Sequence, residues 1–183
     1  MYPVKLGYNE ATRRIRSLIE NGHNSEALVT SVFTIEKTLR RVLRALIISA
    51  GFPSAQATTL MNKFDGLHKI KDVWHCFDPQ LQKLSDFLPA QTVQAISETQ
   101  TMRNKLVHGA KVFTLEFCKQ EAERALSALD TIRNTFEDRY GFDGWSPIKA
   151  RRKSALHKDS RVKLPVVLGK HPPNGSINSL AEF

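Results

Sequence analysis

The chain reads as an all-α protein: an antiparallel bundle of four to five helices over residues 1–140, then an extended basic C-terminal arm, 141–183, containing Pro and Gly. Three observations predict this. Two long stretches, near 25–50 and 114–140, repeat apolar residues at steps of three and four, the period of a helix with one buried face. Gly, Pro or a capping residue punctuates the segments between them. From Gly141 the texture changes to Gly, Pro, Ser and basic residues, a composition with little to bury.

Taken in order, residues 10–21 form a short first helix with Ala11, Ile15, Leu18 and Ile19 on one side and Arg13, Arg14 and Arg16 outside. Gly22 ends it. Asn24 and Ser25 offer an N-cap to the first long helix. Its seam is Leu28, Val32, Ile35, Leu39, Val42 and Leu46, widened by Val29, Phe33, Leu43 and Ile47. Gly51 and Pro53 stop it. Glu36 lies beside the seam, with Arg40 four residues later as a surface pair. Residues 54–75 are less regular. Ala57, Leu60, Met61 and Phe64 suggest one short helix, Asp65-Gly66 a break, and Ile70, Val73, Trp74 and Phe77 another. Pro79 opens a further turn or two that Pro89 closes, and a helix over 90–108 follows. Thr114 caps the last long helix, whose Leu115, Cys118, Ala122, Ala125, Leu129, Ile132 and Phe136 again step by three and four. In the arm, Arg151-Arg152-Lys153 is the densest cationic cluster, and Val166-Val167-Leu168 is one apolar patch.

A chain of 183 residues is one domain, or one domain with a tail, and is long enough to bury a core. The formal net charge is +9. Residues 147–183 carry eight Lys or Arg against two Asp or Glu, so most of the excess lies in the arm. Such a balance favours a nucleic acid or an acidic protein surface as partner. The two cysteines, Cys76 and Cys118, have no metal-type spacing, and His68 and His75 add too few ligands for zinc. No signal-peptide pattern and no apolar run of membrane length occurs. The reading is a cytoplasmic protein with no membrane partner, no metal and no cofactor.

The informative stretch is Met102-Arg103-Asn104-Lys105-Leu106-Val107-His108-Gly109. Positions 93, 96, 100, 103 and 107 fall within about 80° on a helix, so they form one stripe. Arg103 interrupts it, and a guanidinium there needs an anionic or hydrogen-bonding partner. Asn104 and His108 are four apart, where an amide can orient an imidazole. Gly109 fits a left-handed cap, placing His108 at the last turn.

Arg-Asn, three residues, then His-Gly, near the end of one helix and before another long amphipathic helix, resembles the signature of the HEPN superfamily. The resemblance covers roughly residues 8–140. It implies a small all-helical domain and a metal-independent endoribonuclease, with Arg103, His108 and Asn104 in the catalytic motif and Glu36 on the long helix facing it. It further implies a homodimer in which two motifs meet across a dyad. It also points to a toxin or phage-defence setting with a neutralising antitoxin or regulatory protein. In a toxin branch of the family a modified Tyr lies two residues after the His. Here that position is Ala110, so control by that route is in doubt. On residue chemistry, RNA cleavage without metal needs a base, an acid and a cation at one phosphodiester, which histidine and arginine suit. Lys105, Arg151, Arg152 and Lys153 are the candidate RNA-binding cations. The competing reading is a non-catalytic helical module that binds a nucleic acid or a protein.

Overall fold

The computed structural model describes residues 7–146, and among these every regular element is helical. The helices are α1 (Tyr8–Glu20), α2 (Asn24–Ser49), α3 (Ser54–Lys63), α4 (Gly66–Phe77), α5 (Leu84–Phe87), α6 (Ala90–Val107) and α7 (Leu115–Tyr140). The expected all-α bundle is therefore present. α2 is its centre, packing against α1, α3, α4, α6 and α7. Its expected seam, Leu28, Val32, Ile35, Leu39, Val42 and Leu46, is buried throughout.

The core divides in two. The larger cluster joins the C-terminal halves of α2 and α7 to α3, α4 and α5 and the start of α6. The smaller one joins α1 to the N-terminal halves of α2 and α7, with Met102 and Phe113 against it. N-terminal halves share one cluster and C-terminal halves the other, so the two long helices run in the same direction. α6 contributes Ile96 to the larger cluster and Met102 to the smaller, so it runs against both. The antiparallel pairing thus holds between consecutive helices α6 and α7, and not between the two long ones.

Three local expectations shift. Asn24 and Ser25 do not cap α2, because the helix already begins at Asn24 and His23 occupies the cap position without a side-chain bond. Val29 and Phe33 do not extend the buried seam. Phe33 is 51% exposed, because it lines an open cavity beside α2. Residues 141–146 belong with the bundle rather than with the arm. Phe142 and Asp143 are buried, and Arg133 holds the Asp143 carboxylate at 2.5 Å. Gly144 packs so closely on Thr38 and Val42 that a Cβ would lie 3.1 Å from the Val42 methyl. Trp145 then donates its indole N–H to Thr38 Oγ1 at 2.9 Å. Elsewhere the capping chemistry stands as read. Thr114 Oγ1 accepts from Phe117 N–H at 3.3 Å. Gly141, where the composition of the arm begins, ends α7 in the left-handed conformation.

The far end of α7 is fixed by one buried carboxylate. Asp78 accepts from Tyr140 O–H at 2.6 Å, from Arg139 Nη2 at 2.9 Å, and from the backbone N–H groups of Gln80 and Gln82. Trp74 stacks on Phe136 and donates to Tyr140 Oη at 3.2 Å, closing the network. Burial alone would raise the Asp78 carboxyl. The hydrogen bonds from Arg139, Tyr140 and Gln82 overcome this and hold it below the usual carboxylate range.

Because the folded carboxyl sits below its unfolded value of about 3.9, its contribution is complete at neutral pH and is lost as pH falls below that value. Asp78→Asn leaves the Arg139 charge without its buried partner and is expected to lower stability by about 3 kcal/mol at pH 7. The same variant flattens the acid limb of the stability–pH curve, and urea unfolding between pH 3 and pH 7 measures both.

Candidate functional site

α6 is weakly amphipathic, and its buried face consists of Thr92, Ala95, Ile96 and Thr99. Thr99 turns its hydroxyl back to the Ala95 carbonyl at 2.7 Å, which lets a polar residue sit at zero exposure. One turn later this stripe reaches Arg103. The stripe expected through Val107 does not continue that far, since Val107 is 53% exposed at the helix end, where no neighbouring element covers it.

Arg103 lies half-buried against α2. Its Nη2 is 3.5 Å from Glu36 Oε2, and its guanidinium carbon is 4.9 Å from the Phe33 ring centroid. Its Nε is buried and makes no hydrogen bond. Glu36 is shared. Its other oxygen accepts from Arg40 Nε at 3.0 Å, and Arg40 Nη1 and Nη2 donate to the carbonyls of Met61 and Phe64 at the end of α3. Glu36 and Arg40 therefore form more than the expected surface pair. They clamp α3 and α6 to the same side of α2, and Glu36 faces the motif.

The last turn of α6 closes as anticipated. Gly109 takes φ +66°, its N–H bonds Leu106 O at 3.2 Å, and Ala110 N–H bonds Lys105 O at 2.8 Å. His108 is the C-cap residue and is exposed. Asn104 is half-buried, and no hydrogen bond links its amide to the imidazole. Four residues apart on a helix brings two side chains near without forcing a bond, and at the cap the His108 backbone has already left the helical path. Arg103 and His108 are five apart, ~140° around the helix axis, so one faces α2 while the other faces outward. The structure thus brings Arg103 together with Glu36 and presents His108 separately. Lys105 is exposed on the same turn. Arg151, Arg152 and Lys153 lie outside the described residues.

Beyond the motif, a cavity of about 730 Å³ opens between α1 and α2, with Phe33 and Glu36 in its lining. Lys37, Arg41 and Arg44 line it, and sequence reading by buried seams alone misses them. Their spacing, i, i+4 and i+7 on the face opposite the seam, is the signal that identifies them. The chain matches no family model, no characterised protein and no solved structure.

The shared carboxylate has a measurable signature. Glu36→Gln and Arg103→Met are each expected to lower stability by about 1 kcal/mol. In a double-mutant cycle the pair is expected to show a coupling of about 0.5 kcal/mol or more, read by urea unfolding.

Proposed function

We propose that the chain is a metal-independent endoribonuclease of the HEPN type, acting in the cytoplasm, whose composite site forms between two identical subunits. One observation carries the reading. A half-buried arginine, braced by a shared carboxylate and keeping a hydrogen-bonding donor unsatisfied, lies on the same helix end as an exposed histidine set by a glycine cap.

The chemistry follows from those groups. One His108 takes the proton of the ribose 2′-hydroxyl, and the freed oxygen attacks the adjacent phosphorus. The partner subunit's His108 returns a proton to the departing 5′-oxygen. Arg103 supplies permanent positive charge to the phosphorane oxygens, with a planar fork suited to two of them. The products are a 2′,3′-cyclic phosphate and a 5′-hydroxyl. Glu36 positions Arg103, and at 3.5 Å its contact is loose enough for a phosphate to compete. A single subunit has one imidazole for two proton transfers, which is the chemical reason for a dimer. The exposed Val107, Val112 and Leu115 at the α6–α7 junction give such a dimer apolar surface to bury. A toxin or phage-defence effector held in check by an antitoxin or regulatory protein is the setting in which this activity fits. Asn104 orients the paired motifs, Lys105 adds charge beside the scissile strand, and Arg151, Arg152 and Lys153 add charge in the arm.

A second reading, a non-catalytic helical module that binds nucleic acid, is favoured by the cationic cavity beside α2. Incubation of the purified full chain with end-labelled RNA in a chelating buffer separates the two. Cleavage leaving 2′,3′-cyclic phosphate ends, reduced about 100-fold or more by His108→Ala and by Arg103→Ala, is the expected result. Binding without cleavage, unaffected by either substitution, establishes the module instead.

A further inference from the structure

The cavity between α1 and α2 has a composition that the cleavage chemistry does not use. Its wall on α2 presents Lys37, Arg41 and Arg44, a row about 10 Å long at 1.5 Å per residue. Among the described residues none of the three is ion-paired with a carboxylate. Arg44 reaches only the hydroxyls of Ser54 and Thr58, and Arg41 a carbonyl, that of Gly144, at 3.3 Å. The Lys37 ammonium and the Arg41 guanidinium crowd the same Trp145 ring, at 5.4 Å and 4.6 Å from its centroid. Burial, with the Arg41 charge added, lowers the Lys37 ammonium from its ordinary range, and burial lowers Arg41 despite the Asp143 carboxylate. Such uncompensated positive charge in a concave, partly apolar site attracts a multiply charged anion.

The rest of the lining says which anion. Val29, Phe33 and Met61 give the cavity an apolar floor, and Phe33 exposes half of its ring. Flat apolar surface beside a line of cations suits nucleotides, whose bases stack while their phosphates follow the charges. The chain's own continuation is a poor occupant. Residues 147–183, which follow the described residues in sequence, carry a net +6, the same sign as the row. A second copy, at net +9, is disfavoured for the same reason.

We propose that this cavity is a binding track for single-stranded nucleic acid, with backbone phosphates on Lys37, Arg41 and Arg44 and bases over Phe33 and Met61. Glu36 and Phe33 both line the track and hold Arg103, so a strand lying in it passes beside the motif. The binding stands on the cavity alone. That the strand is RNA awaiting cleavage rests on the ribonuclease reading.

Fluorescence anisotropy of the full chain with a labelled single-stranded DNA oligonucleotide tests the track without cleavage, because DNA lacks the 2′-hydroxyl nucleophile. Lys37→Gln with Arg41→Gln is expected to weaken binding about tenfold at moderate salt and to reduce the salt slope by about one for each charge removed. Lys69→Gln, on the exposed face of α4, is expected to leave both unchanged. Arg41 also supports Trp145, so Lys37→Gln alone and Arg41→Lys are measured beside the double variant, with circular dichroism confirming the fold. Lys37→Gln is expected to lower the slope by itself, and Arg41→Lys to retain binding. Unchanged affinity and slope in the folded double variant overturn the track. So does equally tight binding of inorganic pyrophosphate or of poly-glutamate, which would mark a small-anion or acidic-peptide site. Loss of RNA cleavage with this binding intact would defeat only the ribonuclease reading.

Discussion

One carboxylate carries a disproportionate share of the arrangement. Glu36 divides its two oxygens between Arg40 and Arg103. Through Arg40 it is tied to the terminal carbonyls of α3, and through Arg103 to the last turns of α6. α2 therefore positions two other helices with a charge cluster on the flank that its apolar seam leaves uncovered. The cluster is not electrically closed, since two guanidinium groups share a single negative charge. That remainder, with the unsatisfied Nε of Arg103, makes this flank receptive to an added anion.

The two ends of the bundle are built differently. At one end Asp78 is fully satisfied by Arg139, Tyr140 and backbone donors, and stacked aromatic rings fill the space around it. At the other end the core is the smaller cluster, and four large apolar side chains around the motif, Phe33, Val107, Val112 and Leu115, are more than half exposed. A rigid far end supports a near end with apolar and cationic surface still available. Buried hydrogen-bonded networks fix a single geometry, whereas exposed apolar surface is the usual mark of a place where something else binds.

Much of this was legible in the residues. The seams of α2 and α7 follow from simple periodicity, and Gly109 carries the positive φ that its position at a helix end suggests. Arg103 stands out because a charge interrupts a helical stripe, and Glu36 was identified by resemblance. The buried stripe lies one residue from the apolar one, because Thr92 and Thr99 count as polar in any pattern yet are buried, Thr99 by bonding its own helix. The continuation of the fold through Trp145 was hidden by composition. Gly141 and Gly144 look like linker residues, and only the tertiary contacts of Phe142, Asp143 and Trp145 show that they shape a return onto α2. The cationic row on α2 is hidden for a similar reason, since charges opposite a buried seam look like an ordinary solvated face unless a cavity lies over them.

The proposed cleavage requires that a second copy of the chain complete the motif. Pulsed dipolar spectroscopy measures this directly, using a spin label on Lys105→Cys in a chain whose Cys76 and Cys118 have been replaced by Ser and Ala. Convergence of two motifs across a dyad predicts a strong dipolar coupling at short separation, abolished by dilution with unlabelled chain. A chain that shows no coupling at any concentration, or a pair whose labels lie on opposite outer faces, contradicts the composite site.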